Sequence, residues 1–198
     1  MIARFVILSI FIITLAGCST TADVERAKQA EGTWSAKFSF PTTEGTRIEQ
    51  TITYSLTDVA DNRGSLVEDR RWLFDELRDD AKITYYATSI VNGWWDIYGG
   101  DLYLHYELST LKVTIDSFSV AARDDVAPEL AVGVSKYRDA YLQSVVNEMH
   151  DYLRNAMIED YKRYDIQGAT YFNIGFQNDS LYYTSTDLGR VGFKKKTL

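Results

Sequence analysis

The sequence predicts a mainly β protein: a single antiparallel up-and-down barrel of roughly eight to ten strands, with one long amphipathic helix inserted before the last hairpin. Three observations carry this expectation. The stretch from Val91 to Val113 reads as strands joined by tight turns. Strict alternation of apolar and polar residues marks Thr33 to Phe40 and Ile48 to Leu56. After Pro128 the period changes from two to between three and four.

Residues 1 to 17 carry one charge, Arg4, followed by the apolar run Phe5 to Leu15, which is too short to span a bilayer as a mature helix. The run ends in Leu15-Ala16-Gly17-Cys18, which resembles the lipobox of bacterial lipoproteins. The resemblance implies a cleaved signal peptide over 1–17 and acyl chains such as palmitate on Cys18. The alternative is a free Cys at the end of an ordinary secretory signal. Cys18 is the only Cys in the chain, and an unpaired thiol is a liability in an oxidising compartment. In the sorting rule of enterobacterial lipoproteins, Asp after the Cys retains a protein at the inner membrane. Ser19 stands here, which implies a lipid-anchored place in the bacterial cell envelope, at the outer membrane and facing the periplasm.

The net charge of −7 becomes one unit more negative once Arg4 is removed with the leader. Such a balance excludes nucleic acid as a partner and gives no attraction to anionic lipid, so acyl chains must hold the protein at its membrane. Residues 18–31 form the lipidated tether, and Asp23 to Glu31 is rich in helix formers, ending at Gly32. The domain proper is expected over 32–198. Trp34, Ala36, Phe38 and Phe40 share the buried side of a first strand, while Ile48, Ile52, Tyr54 and Leu56 continue that side on a second.

Asp58 to Lys82 is the least regular segment. Ser65 to Trp72 has strand character, yet Glu68-Asp69-Arg70-Arg71 fits neither face as core. Carboxylates gather here, and a glycosidase needs two that converge on a substrate. Four Arg residues interleave with them, so a charge-paired, solvated edge is the expected arrangement. Ile83 to Val91 resumes as a strand. Asn92-Gly93 supplies a hairpin signal, and the next turn, centred on Gly99-Gly100, sets Ile97 opposite Leu102 and Trp95 opposite Leu104. Asp96 with Tyr103 and Trp94 with His105 then fall on the other face. A further turn on Ser109-Thr110 sets Leu108 against Leu111, Tyr106 against Val113 and Leu104 against Ile115. The same face stays apolar throughout, as a sheet with one buried side requires.

From Pro128, the residues Leu130, Val134, Tyr137, Tyr141, Val145, Met149, Tyr152 and Ala156 recur at helical spacing. The helix is expected over about 128–165, some ~55 Å if straight, with a bend or split near Met149 to Asn155. The sheet then resumes. A turn on Asn178-Asp179 pairs Phe176 with Leu181, Ile174 with Tyr183 and Phe172 with Ser185. Val191 and Phe193 form a last strand that closes on Thr33 to Phe40.

Gly32-Thr33-Trp34 ahead of the first strand, the meander around Gly93-Trp94-Trp95 to Leu104, and the closing hairpins together resemble the bacterial lipocalin-like proteins of the calycin group, over most of residues 31–198. The resemblance implies a lipocalin-like barrel whose first Trp plugs one end beneath a basic residue, a part that falls to Arg190 or Lys194. It also implies an interior that binds a small apolar ligand, a lipid or fatty acid, lined by Trp34, Phe38, Tyr54, Trp95 and Tyr106. The chain departs from the family pattern in carrying its long helix before the last hairpin, and in offering only Thr186-Asp187-Leu188 for the Thr-Asp-Tyr motif.

Catalytic signatures are missing from the sequence. His105 and His150 have no partner at metal-ligand spacing, and no nucleophile elbow, phosphate loop or nucleotide fingerprint occurs. A non-enzyme without cofactor or metal is therefore expected. The alternatives to ligand binding are a barrel filled by its own side chains that binds or inhibits an envelope protein, and a half-open barrel with a helical lid, as in periplasmic lipoprotein carriers and receptors.

Overall fold

The computed structural model describes residues 20–41, 47–78, 81–125, 127–167, 171–185 and 189–196. The leader, Cys18 and the Thr186-Asp187-Leu188 triplet lie outside the described residues. In chain order the elements are α1 (Thr21–Ala30), β1 (Gly32–Pro41), β2 (Arg47–Ala60), β3 (Arg63–Arg78), β4 (Ala81–Tyr98), β5 (Asp101–Tyr106), a 3-10 turn (Leu108–Thr110), β6 (Lys112–Ala122), α2 (Pro128–Lys136), α3 (Arg138–Gln167), β7 (Phe172–Gln177), β8 (Ser180–Ser185) and β9 (Gly189–Lys195). The strands form one antiparallel sheet in the order β5-β4-β3-β2-β1-β9-β8-β7, with β6 attached to β4.

At one end this sheet closes on itself. Leu102 and Tyr171 exchange backbone hydrogen bonds of 2.9 and 3.0 Å, and the Ile174 amide donates to the Gly100 carbonyl at 3.0 Å. These bonds join β5 to the start of β7, so the edge strands satisfy one another. At the other end β6 has β4 as its strand neighbour, and α2 and α3 pack against it. The result is a nearly closed barrel, joined across β5 and β7 at the Gly99-Gly100 end, with Phe40, Ile48, Phe74 and Tyr85 standing in register at the far end.

The register around Gly99-Gly100 agrees with expectation pair for pair, from Ile97 with Leu102 to Trp94 with His105. The two neighbouring turns do not. β4 runs unbroken for 18 residues through Asn92-Gly93, and Ser109-Thr110 makes no hairpin. Residues 112–122 pair with β4, not with β5: Lys112 faces Ile90 and Ala122 faces Ala81. β5 and β6 therefore run in the same direction along one edge of β4, and the 3-10 turn is a jog between them. Asn92 holds the jog, its amide donating to Thr110 Oγ1 at 2.8 Å and its carbonyl accepting from Glu107 at 2.9 Å. A jog and a hairpin leave the same apolar alternation in the sequence, which is why periodicity did not separate them.

The helical parts also differ from the single long helix expected. Among the described residues there are four: α1, the 3-10 turn, α2 and α3. The break falls at Tyr137, whose φ of −101° and ψ of 8° end α2, while α3 runs unbroken through Met149 to Asn155. Met149, Leu153, Met157 and Tyr161 form the buried stripe at every fourth residue, while Tyr137 and Tyr152 are 63% and 64% exposed. In the last hairpin, Phe176 pairs with Leu181 as expected, but Phe172 meets Thr184 and Gly175 meets Tyr182. The irregularity coincides with Asn173, whose φ is 50°. β9 closes on β1 as expected, Trp34 facing Lys195 and Ser35 facing Lys194.

Candidate functional site in the barrel interior

Period-two alternation turns Trp34 and Tyr54, Leu56 and Leu66, Trp95 and Leu104 into the barrel, where all are nearly inaccessible. From the opposite wall come Leu181, Tyr183 and Phe193. Aromatic rings then fill the sealed end. Phe193 lies 5.2 Å from Tyr54 and 5.9 Å from Tyr183, and Tyr171 lies 3.9 Å from Tyr183, all between ring centroids. The Trp95 indole donates to the Ser65 carbonyl at 3.0 Å and that of Trp34 to the Ala30 carbonyl at 2.7 Å. The second bond ties the barrel floor to α1. The basic residue above Trp34 is Lys195, with its Nζ 5.2 Å from the ring centre, and not Arg190 or Lys194. Arg190 instead covers Tyr182 at 4.3 Å, and Lys194 donates to Ser180 Oγ at 2.6 Å.

Trp34, Phe38, Tyr54, Trp95 and Tyr106 all lie on the inner face, and the structure divides them between two regions. Trp34, Tyr54 and Trp95 belong to the packed sealed end. Phe38 is half-buried towards the far end, and Tyr106 stands between the two beside a polar network that sequence reasoning missed.

That network centres on Glu68, a fully buried residue. Its carboxylate pairs with the Arg70 guanidinium and accepts hydrogen bonds from the Tyr106 and Tyr161 hydroxyls, both at 2.6 Å. Arg70 also reaches Asp160 at 3.1 Å and lies 4.8 Å from the centre of the Tyr161 ring. Next to it the hydroxyls of Tyr54 and Tyr171 bond to each other. Burial, and after it the Glu68 charge, pushes the Tyr106 and Tyr161 hydroxyls well above the usual tyrosine range. Burial opposes the Arg70 charge, but Glu68 outweighs it and the guanidinium stays protonated.

A solvated edge was expected here, and for Glu68 and Arg70 the structure overturns it. Both point inward with Leu66 and Trp72, while Asp69 and the exposed Arg71 pair on the outer face. The signal was present: residues 66, 68, 70, 72 and 74 share one phase, and their ends are Leu66, Trp72 and Phe74. Among the described residues, Glu68 faces inward, Asp69 faces outward and Asp75 accepts from Thr84 at 2.6 Å, so these acids do not converge as glycoside hydrolysis requires; Asp79 and Asp80 lie outside the described residues. Among the described residues, no three of His, Cys, Asp and Glu gather as metal ligands would.

Beyond the network, towards the far end of the barrel, the described inner-face residues are apolar and partly accessible. Phe74 stacks on Tyr85 at 4.5 Å and lies 6.3 Å from Trp72, and Phe38 stacks on Phe40 at 6.2 Å. Phe38, Ile48 and Phe74 are half-buried, and Phe40 is 38% exposed. A cleft of about 490 Å³ lies between α3 and β6, where His150 Nε2 is 3.1 Å from the Val113 carbonyl. His105 stacks flat on Trp94, with centroids 3.6 Å apart, on the outer wall.

No family model, no curated protein and no solved structure matches the chain.

Proposed function

We propose that the protein is a lipid-anchored, non-enzymatic protein of the bacterial cell envelope, lipocalin-like in broad plan, whose nearly closed barrel carries a small apolar ligand such as an acyl chain at the end away from Gly99-Gly100. The observation that carries this reading is the inner row Phe40, Ile48 and Phe74. These side chains share the face that elsewhere forms the core, yet they remain partly accessible. Concave apolar walls with few polar groups suit a hydrocarbon chain. The binding region in this reading is Phe38, Phe40, Ile48, Trp72 and Phe74, and the closed-end residues Trp34 and Trp95 act as floor.

A nitroxide-labelled stearate tests it. Trp72 lies in the proposed region, so its emission should be quenched saturably, and Trp72→Phe should remove most of the quenching while Trp95→Phe leaves it. Phe74→Ala should weaken binding. The rival reading, a filled barrel that binds an envelope protein on its surface, draws support from the aromatic packing of the sealed end. It requires no saturable quenching at all.

A further inference from the structure

The first described residue, Thr20, caps α1, and α1 is docked on the sealed end of the barrel. Asp23 of α1 accepts hydrogen bonds from the backbone amides of Gly99 at 3.3 Å and Gly100 at 3.1 Å. Only Ser19 separates Thr20 from Cys18, a reach of about 7 Å at most for an extended chain. Acyl chains on Cys18 therefore hold the N-terminus of α1, and with it the Gly99-Gly100 turn, close to the headgroups.

The surface beside that turn is aromatic. Tyr98 is 53% exposed and Phe172 is 40% exposed. They are neighbours across the β5–β7 closure: Tyr98 pairs with Asp101, whose carboxylate accepts from the Asn173 amide at 2.8 Å. Tyr103 adds a third, half-buried ring on the same outer wall. Rings of this kind favour the boundary between headgroups and acyl chains. Asp96 and Asp101 on this wall, and a net charge of −7, give anionic lipid no advantage, so the surface fits zwitterionic headgroups.

We propose that the sealed end of the barrel rests on the bilayer through Tyr98 and Phe172, with the far end directed away from the membrane. Tyr85, at that far end, and Tyr98 lie on one strand, separated by about 40 Å of strand. The far end then exchanges its ligand with the aqueous side and not with the leaflet that anchors the protein. This orientation rests on the lipid-anchor reading of Cys18.

The test uses the full-length protein, extracted in detergent and reconstituted into phosphatidylcholine vesicles. Acylation of Cys18 leaves a substituted Cys as the only free thiol, so a nitroxide is attached at Phe172→Cys or, as a control, at Val132→Cys on α2. Val132 is 68% exposed, and α2 follows the end of β6 that pairs with Ala81. Reconstitution should cost the label at 172 its accessibility to an aqueous nickel complex and raise its accessibility to oxygen, with no change at 132. Two labels that both stay aqueous, or lipid contact at 132 alone, overturn the orientation while leaving the anchor intact. Acyl labelling that is absent from the wild type, or that is present and unaltered by Cys18→Ser, overturns the anchor and the orientation together.

Discussion

The Tyr161 hydroxyl of α3 donates to the buried Glu68 carboxylate of β3 at 2.6 Å, and its neighbour Asp160 receives Arg70 from the same strand at 3.1 Å. Two consecutive helix residues thus meet two alternate strand residues. The helix is joined to the inner face of the sheet by a charged contact as well as by its apolar stripe. Such a contact has one optimal register, whereas the apolar stripe of Met149, Leu153 and Met157 tolerates sliding.

Removing parts of this contact should rank in a fixed order. Glu68→Ala strands a buried guanidinium and should cost about 3–5 kcal/mol. Tyr161→Phe removes one hydrogen bond to a charged group and should cost about 1.5–3 kcal/mol. Asp160, whose side chain is 40% exposed, is screened, so Asp160→Asn should cost below about 1 kcal/mol. Urea denaturation measures all three, and equal losses at 160 and 161 would sink the account.

The same hydroxyls set the alkaline limit of stability. Burial first, and then the Glu68 charge, raises Tyr106 and Tyr161 above the unfolded tyrosine value of about 10. A group whose folded pKa is raised contributes stability that is complete below its unfolded pKa and is lost as pH climbs above it. The contribution of these hydroxyls should therefore be constant up to pH ~10 and fall beyond it, and Tyr161→Phe should make that fall shallower. Absorbance at 295 nm checks it, since these phenolates should appear together with loss of near-UV dichroism.

Asp23 behaves in the opposite sense. Burial raises its pKa, but the bonds from Thr20 and the Gly99 and Gly100 amides outweigh burial and hold it below the ordinary carboxylate value. A lowered folded pKa gives stability that is present above about 3.9 and lost as pH falls through the folded value. The α1 contact with the turn should loosen below pH ~4, seen as faster amide exchange in Thr21–Ala30. In Asp23→Asn that exchange should already be fast at neutral pH.

The sequence made the Gly99-Gly100 hairpin legible because one turn with two central glycines and two flanking alternations admits one register. The jog at Leu108–Thr110 was not legible, since no local signal says whether a chain that leaves an edge returns along its own strand or continues along the neighbour. Glu68 and Arg70 were misassigned because charge was weighed above phase. Their neighbours Leu66 and Trp72 placed them inside, and only the distant Tyr106, Tyr161 and Asp160 make that burial tolerable. The stripe of α3 was right at Met149 and missed by one residue beyond it, because spacing that allows either three or four does not choose between Tyr152 and Leu153.

Core position and face give a test of the register that was legible. Leu104 is buried opposite Trp95, and Tyr103 faces outward opposite Asp96. Leu104→Ala should cost about 2–5 kcal/mol, and Tyr103→Ala much less, by thermal or urea unfolding. Equal costs would mean that the two faces are exchanged.

Gly93 tests the part that was not legible. In a hairpin turn its neighbourhood would be open, but within unbroken β4 it lies under β5: a Cβ built there falls 1.9 Å from the His105 carbonyl oxygen and 3.2 Å from the Tyr106 Cα. Both obstacles are backbone, so no rotamer relieves them, and the strand pair must separate just where β5 gives way to the jog. Gly93→Ala should cost about 1–3 kcal/mol. It should also weaken the bond from the Glu107 amide to the Asn92 carbonyl, read as faster exchange of the Glu107 amide. Gly175→Ala is the matched control, a strand glycine with nothing within 4 Å of its missing Cβ, and it should be tolerated. If both variants unfold at the temperature of the parent, β5 does not pass over Gly93, and the continuous 18-residue strand is wrong.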